Sequence, residues 1–143
     1  MLCIEISKLG GAFHRQIVEA RERNAPCAPL SVHLLGKINL RNNNNYKFSN
    51  LYLITDLEYP NGKTLIDTLE YKMAEPDGKL LGEGFTDVKE NKLWYKGYKS
   101  PFIFKESGTY TFRVKHAMRA YGEVEGLDDL DGVTEVGFRV ENK

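Results

Sequence analysis

The chain has 143 residues, the usual size of one domain, and its 20 Lys and Arg residues are balanced by 20 Asp and Glu residues. A chain without excess basic charge lacks the attraction for phosphate on which nucleic-acid-binding proteins depend, so the composition argues against a nucleic-acid partner. Cys3 and Cys27 are the only cysteines, and one potential pair does not indicate a redox compartment.

The first 37 residues differ in pattern from the rest of the chain. Between Ala12 and Arg23, apolar residues recur at helical spacing, which is compatible with a short helix. The segment NAPCAP at 24–29 ends such a helix, because two prolines within four residues remove backbone donors. No apolar run here is long enough to span a bilayer. We therefore expect an irregular segment at 1–37, in which a helix can form, and a separate domain at 38–143.

From Ser31 onward the sequence has the pattern of β-strands. The segment TYTFRVKHAM alternates strictly and places on one face Tyr110, Phe112, Val114, His116 and Met118. The segment TEVGFRVE repeats the alternation near the end of the chain, and NLYLITDLEY, TLIDTLEYKMA and WYKGYKSPFIFK are rich in β-branched or aromatic residues. Strands at this spacing without crossover helices predict an all-β fold, an antiparallel β-sandwich.

Three short segments between these strands have the composition of tight turns. YPNGK at 59–63 and EPDGK at 75–79 place proline and glycine where turns favour them, and KESGT at 105–109 also contains turn residues. We expect each of them to join two antiparallel strands.

Few residues are arranged as a catalytic or cofactor site. His116 points with the core face of its strand and is expected to be a half-buried, hydrogen-bonded residue. Cys27, His33 and His116 lack the paired spacing of a zinc site. GKLLGEG at 78–84 lacks the Gly-Lys-Ser/Thr ending of a phosphate-binding loop. A hydrolase would need two or three titratable groups in one pocket, and nothing here predicts that. We expect no enzymatic activity and no cofactor.

The acidic stretch DDLDG, at 128–132, is the strongest metal candidate. A helix-loop-helix calcium site needs oxygen ligands at loop positions 1, 3 and 5, glycine at position 6 and glutamate at position 12. With Gly132 at position 6, Asp129 and Asp131 fit, but Leu127 and Phe138 occupy the first and twelfth positions. We therefore predict that DDLDG is a turn into the last strand and holds no metal.

Charge is unevenly distributed along the C-terminal half. The segment 89–119 carries eight basic residues against two acidic ones, whereas 121–143 carries seven acidic residues against two basic ones. Two explanations are open at this stage. The segments can neutralise each other across a shared surface, or they can form a polarised face for a partner.

The segment KLWYKGYKSPFIFK, at 92–105, interleaves aromatic residues with lysines. This composition is found in platforms that bind sugars or single strands. A sandwich strand gives the same pattern, with aromatic residues in the core and lysines in solvent. A carbohydrate-binding module using Trp94, Tyr95 and Tyr98 is the alternative function, and the exposure of these rings distinguishes the two.

Four ordered blocks resemble a known family. INLRNNNNYKFSNLYL, GKLLGEGFTDV, ESGTYTFRVKHAMR and LDGVTEVGFRVE follow the order of motifs in the gliding-motility lipoproteins of the GldH family. The resemblance covers about the last three-quarters of the chain. Four positions depart from the family pattern: Lys47 for proline, Leu80 for tryptophan, His116 for glutamine and Glu135 for aspartate.

The resemblance implies a cell-envelope lipoprotein that faces the periplasm and serves the gliding or associated protein-secretion machinery of Bacteroidetes. Its partners would be other envelope proteins of that machinery, and its only membrane attachment a lipid anchor. Residues 1–37 do not show the family's signal and acylated cysteine, since Cys27 lacks the apolar lead-in of a lipid-modified residue.

Docking is the function expected of such a protein. The candidate partner-binding residues are Lys115, Arg119, Asp128, Asp129 and Asp131. Arg119 is also expected to reach Asp129, Asp131 or Glu135 and so to fix the acidic loop to the preceding strand.

Overall fold

The computed structural model describes residues 34–84, 87–100, 102–103 and 110–142, together with three short N-terminal strands. The described residues form ten strands and no helix. In chain order the strands are β1 (Ile4–Ile6), β2 (Phe13–His14), β3 (Ala20–Glu22), β4 (Leu34–Asn42), β5 (Asn50–Glu58), β6 (Thr64–Lys72), β7 (Lys89–Lys96), β8 (Thr111–His116), β9 (Asp129–Leu130) and β10 (Val133–Asn142).

Two antiparallel three-stranded sheets form the body of the fold. One sheet has the order β10, β4, β7, and the other has the order β6, β5, β8. Two smaller antiparallel pairs, β1 with β3 and β2 with β9, complete the described topology. The predicted all-β antiparallel sandwich is confirmed.

The core lies between the inward faces of the two large sheets. The alternation predicted in TYTFRVKHAM is confirmed, because its five inward side chains are all buried, from Phe112 at 1% exposure to His116 at 8%. Tyr95 of β7 packs edge-on against Phe112 and against Phe138, with ring centroids 5.1 and 5.7 Å away. Residues from both sheets therefore build one continuous core.

Two of the three predicted turns share one geometry. In YPNGK, Gly62 N donates to Tyr59 O and Tyr59 N donates to Lys63 O. EPDGK repeats both bonds between its equivalent residues. Gly62 and Gly78 have φ of +86° and +88°, the left-handed conformation that closes a three-residue hairpin loop. The third turn, KESGT, lies outside the described residues.

Two local expectations were wrong. Within 12–23 the described residues are strand, because Phe13–His14 pairs with Leu130–Asp129 and Ala20–Glu22 pairs with Ile6–Ile4. These ladders override the local helical spacing at those positions. The strand expected to begin at Trp94 instead spans Lys89–Lys96 and stops before Gly97, whose φ of +97° breaks the extended backbone.

The first long strand, β4, begins at Leu34, four residues before the expected boundary at Ile38. Its whole length pairs with β10, from Leu34 opposite Asn142 to Asn42 opposite Val133. Over the part of the chain that the structure describes, no helix has the length and apolar character needed to cross a membrane.

Candidate functional site at the acidic end

One end of the sandwich concentrates acidic side chains. We call residues 117–132, which connect β8 to β10, the acidic end. Five exposed carboxylates lie in it, on Glu123, Glu125, Asp128, Asp129 and Asp131. Within the described residues the only basic side chain of this segment is that of Arg119. The segment therefore presents a surface of strongly negative charge.

A protruding hairpin forms the first half of the acidic end. Leu127 N donates to Met118 O at 2.8 Å, and Arg119 makes an antiparallel bridge with Gly126. The chain reverses at a turn in which Glu123 N donates to Ala120 O at 3.0 Å. We call residues 118–127 the acidic hairpin.

The tip of the acidic hairpin exposes two large apolar side chains. Tyr121 is fully exposed at 105%, and Val124 is 82% exposed. Gly122 holds the turn with φ of +82°, a value that side chains disfavour. The candidate residues predicted from sequence did not include Tyr121 or Val124. The glycine at position 122, in the segment that follows β8, is the sequence signal of such a turn.

The base of the acidic hairpin is fixed to the sandwich. Ala117 N donates to Tyr52 O at 2.8 Å, and the buried Met118 thioether accepts from Tyr52 N at 3.2 Å. His116 Nδ1 accepts from Met118 N, which leaves Nε2 to donate to Asp128 O, both at 3.3 Å. His116 is hydrogen-bonded, as predicted, but it is buried at 8% exposure rather than half-buried.

The DDLDG turn packs against the loop between β4 and β5. Leu130 is buried at 1% exposure, whereas its neighbours Asp129 and Asp131 are exposed. Gly132 O accepts from Asn43 N at 2.8 Å, and a β-carbon added at Gly132 would lie 2.2 Å from Tyr46 N. The buried Leu130 and the close approach of the Gly132 backbone to Tyr46 indicate that this turn has a structural role.

Beside this turn lies an open depression of about 500 Å³. Its walls come from Asn43, Asp129, Leu130, Asp131, Gly132, Val133 and Thr134. The depression offers carboxylate, amide and hydroxyl groups but no histidine or cysteine. Across the described ranges, no three side chains of His, Cys, Asp or Glu are grouped to hold a metal ion.

The structure brings only some of the predicted partner-binding residues together. Asp128, Asp129 and Asp131 share the turn, and Arg119 lies at the base of the hairpin. Lys115 is exposed on the outer face of β8, opposite Ile54 of β5, and so points away from the side that carries His116.

The expected link between Arg119 and the acidic loop is not among the contacts of the described residues. Glu135 instead pairs with Arg41 of β4 at 3.1 Å, and Arg41 also reaches Glu90 at 3.4 Å. Arg119 is held through its backbone bridge to Gly126. Glu135, one of the three acids expected to pair with Arg119, therefore pairs with its cross-strand neighbour Arg41 instead.

Ion pairs between described residues do not join the basic segment 89–119 to the acidic segment 121–143. Arg113 pairs with Asp56 and Glu58 of β5, at 3.3 and 2.7 Å. Lys96 lies 3.0 Å from the Asp67 carboxylate of β6. These basic residues are therefore paired with acids of β5 and β6 rather than with the acidic segment.

The aromatic residues of β7 do not form a flat platform. Trp94 is 55% exposed, but Tyr95 is 8% exposed because the alternation of the strand turns it into the core. Tyr98 packs edge-on against Trp94 at an interplanar angle of 80°, and Lys37 Nζ lies 5.2 Å from the Trp94 ring centroid. A single partly covered ring does not favour the carbohydrate-binding alternative.

Fold and surface together define an antiparallel β-sandwich domain with a charged hairpin at one end. The family model of the GldH lipoproteins matches residues 31–140, and the chain belongs to that family. The resemblance seen in the four sequence blocks is confirmed.

Two curated relatives show how far the similarity extends. A protein named gliding motility lipoprotein GldH, from Flavobacterium johnsoniae, is 44% identical over 139 residues, which is 97% of this chain and 83% of the relative. A gliding motility lipoprotein GldH homolog from Christiangramia forsetii is 54% identical over 104 residues, which is 73% of this chain. The match spans 62% of the length of the C. forsetii protein. No solved structure matches the chain.

Proposed function

We propose that this chain is a non-enzymatic component of the cell envelope that serves gliding motility and the associated protein-secretion machinery. It acts by docking onto another envelope protein through the acidic end. The names of its relatives support the process and the lipoprotein class. The observation that carries the docking mechanism is the acidic hairpin, which holds Tyr121 and Val124 in solvent at 105% and 82% exposure.

Such a tip has the properties of an interface anchor. Binding energy at protein interfaces concentrates in a few residues, and tyrosine is enriched among them. The backbone bonds of the hairpin hold the tip in place before binding, which reduces the entropy lost on association. The surrounding carboxylates then act at the rim, where charge mainly sets association rate and salt dependence. The partner that fits is a protein with an apolar socket rimmed by Lys or Arg.

The proposed location is the periplasmic side of an envelope membrane, with a lipid anchor as the attachment. The word lipoprotein in the names of both relatives supports the anchor. In this arrangement the sandwich presents its acidic end to a partner in the same compartment.

Complementation of a gliding-deficient strain tests the proposal. We expect two variants to fail to restore gliding at normal protein level: Tyr121→Ser with Val124→Ser, and Asp128→Lys with Asp129→Lys. Two controls carry matched changes on other surfaces and should restore gliding. Ile66→Ser removes an apolar side chain that is 66% exposed on β6. Glu70→Lys with Glu83→Lys reverses two exposed carboxylates elsewhere.

Protein level and melting temperature accompany each variant, because all altered side chains are exposed and the fold should be unaffected. If both acidic-end variants restore full gliding at normal level, the contact does not use this end of the molecule.

A further inference from the structure

We propose that a second surface, on the outer face of the sheet β10, β4, β7, contacts an anionic phospholipid bilayer. We call it the Trp94 face, and it consists of Lys37, Lys92, Trp94, Tyr98, Arg139 and Glu141. The inference rests on the proposed function only for the presence of a nearby membrane. Its chemistry and its test are independent of the acidic end.

Strand register builds this face as one row across three strands. Arg139 of β10 lies opposite Lys37 of β4, and Lys37 lies opposite Trp94 of β7. Lys92 precedes Trp94 by two residues and so projects from the same side of β7. Cationic and aromatic groups from separate parts of the sequence are thereby brought side by side.

One carboxylate is surrounded by three cations. Glu141 accepts from Lys37 Nζ at 2.9 Å and pairs with Arg139 Nε at 2.9 Å. The hydrogen bond from Lys37 lowers the pKa of Glu141, and the charges of Lys37, Arg139 and Lys92 lower it further. Three positive charges against one negative charge leave an excess of two on these residues. Arg41, Glu90 and Glu135, which pair on the same outer face, reduce the excess on the whole face to one. The Trp94 face is therefore cationic although the whole chain has no net charge.

The exposed ring lies at the edge of this charge cluster. Trp94 is 55% exposed, so a large part of its side chain is accessible to a membrane. Lys37 and Tyr98 flank the ring, with the Lys37 ammonium 5.2 Å from its centroid. Tryptophan and tyrosine beside Lys and Arg form the side-chain set that favours the headgroup region of a bilayer. Anionic lipids attract such a set electrostatically.

The two surfaces can be occupied together. Val133, which directly follows the acidic end, and Arg139 are six residues apart on β10, which is roughly 20 Å in an extended strand. A sheet face lying on lipid leaves the acidic hairpin free for a partner protein. The opposite charges of the two surfaces also keep the hairpin away from an anionic membrane.

The single tryptophan of the chain makes a direct test. Trp94 emission is recorded while the purified chain is titrated with phosphatidylcholine vesicles, with or without about a third phosphatidylglycerol. We expect a blue shift of the emission with the anionic vesicles only. The shift should be lost at about 0.5 M NaCl, because salt then screens electrostatic attraction beyond a few ångströms. Lys92→Glu with Arg139→Glu should weaken vesicle binding by about tenfold or more.

Lys47→Glu with Lys63→Glu, which reverses two exposed cations outside the Trp94 face, is the matched control, and it should leave the blue shift intact. Melting temperatures verify that each variant is folded. The proposal is overturned by an absent shift with anionic vesicles or by an equal shift with neutral ones. A shift that grows with protein concentration without vesicles also overturns it, because a second copy then covers Trp94. A negative result in the vesicle assay does not change the interpretation of the gliding complementation, which tests the acidic end.

Discussion

Phe112 of β8 and Phe138 of β10 stack face to face across the sandwich, with ring centroids 3.9 Å apart and an interplanar angle of 15°. Each ring comes from a different sheet, and both are buried at 1% exposure. The pair therefore ties the two sheets together at the centre of the core. Tyr95 closes the contact from the side by packing edge-on against both rings.

Removing either ring should strongly destabilise the protein. We expect Phe112→Ala and Phe138→Ala each to lower the free energy of unfolding by about 3–5 kcal/mol, because a cavity remains between the sheets. Since the rings contact each other, the double variant should cost less than the sum by about 0.5–1.5 kcal/mol. Urea denaturation measures all three values. Phe112→Leu, which retains most of the volume, should cost about 1 kcal/mol. If the double variant loses as much unfolding free energy as the two single variants together, the stacking contact contributes nothing beyond burial.

Two glycines with the same backbone angle should respond differently to alanine. Gly132 and Gly78 have φ of +89° and +88°. A β-carbon at Gly78 meets nothing within 4 Å, whereas one at Gly132 would lie 2.2 Å from Tyr46 N. Gly78→Ala should therefore cost about 1–2 kcal/mol for the left-handed conformation alone. Gly132→Ala should cost about 1–3 kcal/mol more, because the loop at Tyr46 must move. Thermal or urea unfolding measures both losses of stability. If the two variants lose the same amount, the turn at Gly132 is not closely packed.

His116 should be replaceable by glutamine but not by leucine. The glutamine amide can accept from Met118 N and donate to Asp128 O, as the imidazole does. Leucine of similar size leaves both backbone groups without this partner, which should cost about 1–3 kcal/mol. Unfolding free energies of the two variants test this difference. A leucine variant as stable as the glutamine variant would mean that the two bonds add nothing to stability.

Buried tyrosines should make the protein sensitive to alkaline pH. Burial raises the pKa of Tyr46 and Tyr95 above the ordinary value of 10.0. Above that pH the unfolded chain loses these protons and the folded protein keeps them, so stability falls as pH rises. Each phenol contributes up to about 1.4 kcal/mol per pH unit. Below about pH 9 these groups should have no effect.

Urea midpoints between pH 7 and 11 measure this loss. Tyr95→Phe should reduce the alkaline slope, because it removes one ionisable group and keeps the ring. If the wild-type and Tyr95→Phe proteins lose stability equally as pH rises, Tyr95 is not a source of the alkaline sensitivity.

Calcium should not stabilise the DDLDG turn. The loop lacks oxygen side chains at Leu127 and Phe138, and Leu130 is buried between the exposed acids. We expect the melting temperature to stay the same, within error, when calcium is added. Ligand at a hundredfold excess over its dissociation constant would add about 2.7 kcal/mol to stability. A clear rise in melting temperature would therefore contradict the prediction.

The alternation of side chains made most of the sandwich predictable. Period-two patterns in β8 and β10 assigned Phe112 and Phe138 to the core, and proline-glycine pairs located two hairpin turns. These features depend on neighbours a few residues apart, so local sequence encodes them. Pairing partners of the N-terminal strands were not predictable. Phe13–His14 forms its ladder with residues more than a hundred positions away, and its local spacing resembles a helix.

By itself, the sequence determined the strand class, the turns, the family and the acidic character of the segment after β8. Each follows from residue type and spacing alone. Only the tertiary structure decided that Tyr121 and Val124 stand in solvent, that Tyr95 is buried while Trp94 is exposed, and that Arg41 rather than Arg119 pairs with Glu135. The physical reason is that exposure and ion pairing depend on strand register and on which sheet covers a face, and these are set by contacts distant in sequence.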